Sequence, residues 1–152
     1  MRNCIAAVGF VAAFLIGAAS ASEIAGLYNT GESGEVESVD GSLDVRFQPC
    51  GSDPERICAV IEAAHEGESG EGATQMPDGQ PIVGFTMIEG LEPRGRGRFR
   101  DGKINAVDES LEKGKMVWYG VKVNRLDSGD LEVTGCLAFI CPRTMLWTRI
   151  GD

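Results

Sequence analysis

The chain has 152 residues, of which 23 are acidic and 14 basic, for a formal net charge of −9. That length suits a single domain with a core of its own. The acidic balance argues against nucleic-acid binding, which needs a basic footprint.

Arg2 opens the chain, Cys4 to Ala18 is almost wholly apolar, and Ala19-Ser20-Ala21 has the small-x-small form of a cleavage site. This order predicts a secretory signal peptide over residues 1–21. The apolar run is shorter than the roughly 18 residues of a membrane-spanning helix; an uncleaved anchor is the competing reading. No Cys sits just after the cleavage site, so a lipoprotein anchor is not expected. Residues 22–152 then form one exported domain, periplasmic or secreted, with no transmembrane anchor and a net charge one unit more negative.

Cleavage also removes Cys4 and leaves Cys50, Cys58, Cys136 and Cys141. An even set in an oxidising compartment reads as disulfides. Three connectivities exist, and the short loops favour Cys50–Cys58 with Cys136–Cys141, each contributing roughly 2–3 kcal/mol by chain entropy. Zinc is the alternative, but the spacing lacks a second knuckle or a placed His.

In chain order, Val36, Leu43, Val45 and Phe47 alternate with Glu35, Glu37, Asp44 and Arg46 around Asp40-Gly41, a hairpin signal that sets Val36 opposite Val45 and Glu35 opposite Arg46. A strand over Ile57–Ala64 follows the Cys50-Gly51-Ser52-Asp53-Pro54 turn. His65 to Gln80, rich in Gly, Glu and Ser, reads as a mobile loop. Ile82–Ile88 reads as a buried strand. Arg96–Arg100 and Lys103–Val107 flank a second turn at Asp101-Gly102, and Lys115–Arg125 and Asp130–Phe139 flank Asp127-Ser128-Gly129. Met145–Ile150 ends the chain; Asp108–Lys113 could make one helical turn. The fold class is all-β: about eight antiparallel strands in a small up-and-down barrel, with a β-sandwich as the alternative.

These segments resemble a family of bacterial exported proteins known as domain of unknown function 2147. The resemblance is carried by Gly26-Leu27-Tyr28, Gln48-Pro49-Cys50-Gly51 with Ile57-Cys58, Pro81-Ile82-Val83-Gly84 to Gly90-Leu91, Asp101-Gly102-Lys103-Ile104, Leu131 to Gly135-Cys136, Cys141 and Trp147-Thr148-Arg149. The chain departs from the family where Tyr28 replaces a Trp, and where Asn105 to Met116 replaces a Tyr-Asp-Pro and Gly-Lys-Thr-Tyr stretch. The family looks lipocalin-like. The resemblance therefore implies a small barrel in which Arg149 covers Tyr28 at the closed end as a structural pair.

No chemistry-bearing constellation stands out. His65 is the single histidine; Glu66, Glu68 and Glu71 near it read as a solvated loop, with an opportunistic metal site as the minor alternative. Gly-x-Ser-x-Gly, phosphate-loop and His-Glu-x-x-His motifs are lacking. Catalysis by Ser-Lys or paired carboxylates stays open, since no residue is singled out. Arg94, Arg96, Arg98, Arg100 and Lys103 form the one basic patch, read as a charged outer strand or as an anion site. Phe47, Phe85, Met87, Tyr119 and Trp147 are the candidate lining of a cavity, while Trp118 falls on the opposite face from Tyr119. The expected function is a non-enzymatic exported barrel that binds a small apolar or amphipathic molecule, without metal or cofactor. A filled barrel binding a cell-envelope partner through its surface is the second reading, and an exported enzyme the third.

Overall fold

The structure, a computed structural model, describes residues 23–31, 41–67, 75–76, 78–105 and 116–152. Eight strands run in chain order: β1 Gly26–Asn29, β2 Gly41–Pro49, β3 Ile57–Glu66, β4 Thr86–Pro93, β5 Arg98–Asn105, β6 Trp118–Arg125, β7 Leu131–Leu137 and β8 Ile140–Gly151. Each pairs antiparallel with the next, and β8 returns to β1 to close a barrel, which excludes the sandwich. The predicted leader and the Asp108–Lys113 turn lie outside the described residues. Among the described residues no helix is long and apolar enough to cross a membrane.

Alternation builds the strands. Val45 and Phe47 of β2 are buried while Asp44 and Arg46 are only partly covered, so one side packs inward and the other meets water. The interior is floored by Tyr28, Phe47 and Trp147, none more than 1% exposed, and Ile24 is buried just before β1. At this floor end lie both ends of the barrel chain and the β2–β3, β4–β5 and β6–β7 turns. The other four connections leave from the opposite end, the mouth.

The structure departs from the sequence pattern at several places. Val45 pairs with Tyr28 on one side and Ile61 on the other, so Val36 is not its partner. A register shift beside it inserts Glu62 into β3, and Glu62, not Glu35, takes Arg46 in an ion pair. His65 belongs to β3 and not to a loop. The fourth strand starts at Thr86, because Pro81 to Gly84 form a bend with Gly84 at φ 88°.

Asp101-Gly102 is not a hairpin turn. The chain does not turn there: β5 runs through, with Phe99 opposite Val123 and Gly102 opposite Val121. Three steps on β5 match two on β6, which is a β-bulge, and Asp101 accommodates it at φ 60°. Gly102 is needed for space: a Cβ there would lie 2.7 Å from Leu91 Cδ2. The real reversal before β5 is Arg94 to Arg98, where Arg94 N–H donates to Arg98 O at 2.8 Å and Gly95, Arg96 and Gly97 all have positive φ. At the far end the chain reverses at Ala138-Phe139, so β8 begins at Ile140, ahead of the predicted Met145.

Two disulfides join Cys50 to Cys58 and Cys136 to Cys141. The first closes the β2–β3 hairpin at the floor, the second the β7–β8 hairpin at the mouth.

Candidate functional site

The floor is a packed aromatic cluster. Tyr28 and Phe47 meet edge to face with centroids 5.4 Å apart, and Phe47 meets Trp147 at 6.0 Å. Arg149 pairs with Tyr28 across the β1–β8 seam and places its guanidinium carbon 5.7 Å from the ring centroid. Its Nη1 donates to the Tyr28 hydroxyl at 3.2 Å, and its Nη2 to Ala25 O at 3.3 Å and Asp152 Oδ1 at 2.9 Å. Burial pushes the Tyr28 hydroxyl above its ordinary pKa, and the charges of Arg149 and Arg125 pull it part of the way back. Asp130 receives the backbone N–H of Arg149 at 3.0 Å, which with the Ser128 hydroxyl holds its carboxyl below the usual range.

Toward the mouth the inward positions of β2, β6 and β8 lose cover, while Ile104 at the mouth end of β5 stays buried. On β6, Val123 is fully buried, Val121 nearly so, and Tyr119 half-buried. On β8 Trp147 gives way to half-buried Met145, and on β2 Phe47 and Val45 give way to half-buried Leu43. Of the five candidate lining residues, Phe47 and Trp147 therefore belong to the floor and Tyr119 to the mouth. Phe85 and Met87 are half-buried against the edge of the core; Ile88, opposite Ile104, and Leu91 take the fully buried places on β4. Phe85 lies 6.3 Å from the ring of Trp118, which is 36% exposed. Among the described residues, the buried Trp147 indole N–H has no hydrogen-bond partner.

The basic patch is only partly assembled. Arg94, Arg98, Arg100 and Asp101 line an outer depression of about 320 Å³. Arg94 is taken by Glu92 and Asp101, each at 2.6 Å. Arg100 donates to the carbonyls of Phe99 and Val123 at 2.8 and 3.2 Å. Arg96 sits in the turn, and Lys103 is opposite Glu89, farther along β5. The five cations thus do not converge, because the bulge and the turn break the strand spacing that would have aligned them. A second depression of about 390 Å³ borders the Cys50–Cys58 bond, where Arg56 bridges Glu92 at 2.5 Å and Gly90 O at 3.0 Å.

His65 is half-exposed on the outer sheet, with Nε2 2.7 Å from Asp44 Oδ2; Asn29 Nδ2 donates to Asp44 Oδ1 at 2.7 Å. Among the described residues no three metal-ligating side chains converge. Sequence reasoning passed over Leu137, Phe139 and Ile140, which are 65%, 102% and 71% exposed. The available signal was the five-residue separation of Cys136 and Cys141, the span of a tight hairpin whose turn residues must then be apolar.

Among curated proteins none matches the chain. A solved structure with a similar fold is described as protein HP1028 from the human pathogen Helicobacter pylori, said to belong to the lipocalin family. It aligns with TM-score 0.60 and 22% identity, over 85% of this chain and 84% of that one. At that identity the likeness concerns the fold, a lipocalin-like barrel. The family model for an uncharacterized protein conserved in bacteria, DUF2147, matches residues 29–149, from the end of β1 to the Arg149 that closes the barrel, and the chain belongs to that family.

Proposed function

We propose that the protein is an exported binding protein that holds one small apolar or amphipathic molecule in the mouth half of its barrel. The observation that carries this reading is the gradient of cover along β2, β6 and β8: the floor is filled, while Leu43, Tyr119 and Met145 on the same inward sides are only half-buried. A guest lying on those side chains would gain about 25 cal/mol for each Å² of apolar surface removed from water. Export is supported by two disulfides, which persist in oxidising compartments. In this reading the protein does no chemistry, and His65 serves the outer sheet through Asp44.

The test is native mass spectrometry of the protein isolated from the cell envelope without refolding, before and after solvent extraction. A discrete bound mass that extraction removes supports the carrier and gives the guest's class. A clean apo mass, together with no saturable binding of a fluorescent fatty acid, overturns it.

A further inference from the structure

Over most of the barrel a strand alternates between covered and exposed residues. The β7–β8 hairpin departs from this, since every residue from Leu137 to Thr144 is exposed. On β7 only Leu137 falls in this stretch, while Thr134 is buried and Gly135 and Cys136, paired to β6, are half-buried, so it is the part of the hairpin beyond the disulfide that stands clear of the barrel as an arm at the mouth end. Ala138, at φ 52°, and Phe139 make the reversal, and Leu137 pairs with Ile140 behind them. Tight hairpin turns favour Gly, Asn and Asp, not a bare Phe at the apex. An isolated two-stranded hairpin is marginal in water, yet this one is tied by Cys136–Cys141 directly behind its apolar tip. The bond keeps three large apolar side chains presented to solvent, where none of them has a core to reach.

We infer that this arm docks the protein on a phospholipid bilayer by placing Leu137, Phe139 and Ile140 among the acyl chains. The shape favours a bilayer over a protein partner, because a convex tip exposed on all sides is enclosed by a fluid interface without a matching pocket. The spacing of the charges fits as well. Arg143 lies four steps along the chain from Phe139, roughly 13 Å of extended strand. When the tip reaches the roughly 5–10 Å depth of interfacial insertion, the exposed Arg143 stands at the level of lipid phosphates, which a guanidinium suits. Trp118, partly exposed, lies on the neighbouring strand two residues before Gly120, the partner of Cys136. An indole there matches the preference of Trp for the headgroup boundary. The net charge of −9 selects the lipid: a zwitterionic surface accepts the arm without repelling the acidic body. None of this depends on a guest inside the barrel.

The experiment is flotation with phosphatidylcholine vesicles. All eight described strands lie within residues 26–151, so a chain starting at Ser22 carries the closed barrel and lacks the apolar run before it, which would bind vesicles by itself. The expected result is that this protein floats and that Phe139→Ser with Ile140→Ser lowers the bound fraction roughly tenfold at unchanged thermal stability. A Phe139→Trp variant should show blue-shifted emission and quenching by brominated acyl chains, compared with the parent's Trp118 and Trp147. The inference is overturned if the parent does not float, if the Ser variant floats equally, or if the indole introduced by Phe139→Trp is not quenched. Binding only to anionic vesicles and abolished by about 0.5 M salt would assign the contact to charge and also overturn it. So would a dimer that the Ser substitutions dissociate, with no lipid bound, since the tip would then belong to a second copy.

Discussion

Arg149 and Tyr28 face each other across the seam where the last strand closes against the first. The guanidinium both stacks over the ring, 5.7 Å from its centroid, and donates to its hydroxyl at 3.2 Å. One side chain thereby covers the floor from below and joins β8 to β1 by contacts beyond the backbone ladder.

Replacing Arg149 with Met should cost about 1–2 kcal/mol in urea unfolding, the sum expected for a partly exposed cation–π contact and one hydrogen bond. Arg149→Lys should recover little, because an ammonium cannot stack on the ring and reach both the hydroxyl and Ala25 O. Tyr28 also makes a pH signature. Its folded-state pKa is raised above the ordinary 10.0, chiefly by burial. Between the two values the native state holds the proton more tightly than the unfolded chain. The associated stability is therefore fully present below about pH 10 and is lost as pH climbs through the folded value. Subtracting the Tyr28→Phe profile from the parent's should isolate that decline; parallel profiles would refute it.

Gly102→Ala should destabilise by about 1–3 kcal/mol through overpacking against Leu91, since the added carbon would lie 2.7 Å from Leu91 Cδ2 and 3.1 Å from Val121 Cγ1. Combining it with Leu91→Ala should cost less than the two separate losses added together. A double-mutant cycle measures that coupling.

Floor and mouth should respond differently. Phe47→Ala removes a ring packed between Tyr28 and Trp147 and should cost about 3–5 kcal/mol. Tyr119→Ala, at a half-buried position, should cost less in stability and should weaken binding of a fluorescent fatty acid. Equal effects of the two substitutions on affinity would contradict a guest confined to the mouth half.

The two disulfides should also separate in their effects. Replacing Cys50 and Cys58 with Ser should lower global stability by roughly 2–3 kcal/mol. Replacing Cys136 and Cys141 should show first in hydrogen exchange, as loss of amide protection at Leu137 and Ile140 alone, because the arm beyond the bond touches no core.

By itself the sequence determined the all-β class, the turn at Asp127-Ser128-Gly129 and the apolar phase of β2, and among three connectivities it favoured the two disulfide pairs that form. Each rests on local chemistry: alternation with period two, Asp-Ser-Gly in a turn, and cysteines close enough along the chain to bond. Tertiary structure decided the rest. Asp101-Gly102 has the composition of a hairpin turn, yet the contact with Leu91 and the two-sided pairing of β5 make it a bulge. Val45 could have paired with Val36 on pattern alone, but barrel closure gives its two flanks to Tyr28 and Ile61. The arginines read as one face because strand spacing was extended through residues that turn. Phe139 read as the end of a strand because hydrophobicity does not say where the barrel stops. Local sequence sets what a strand can bury; only closure of all eight strands sets which side finds a partner and which apolar residues are left in solvent.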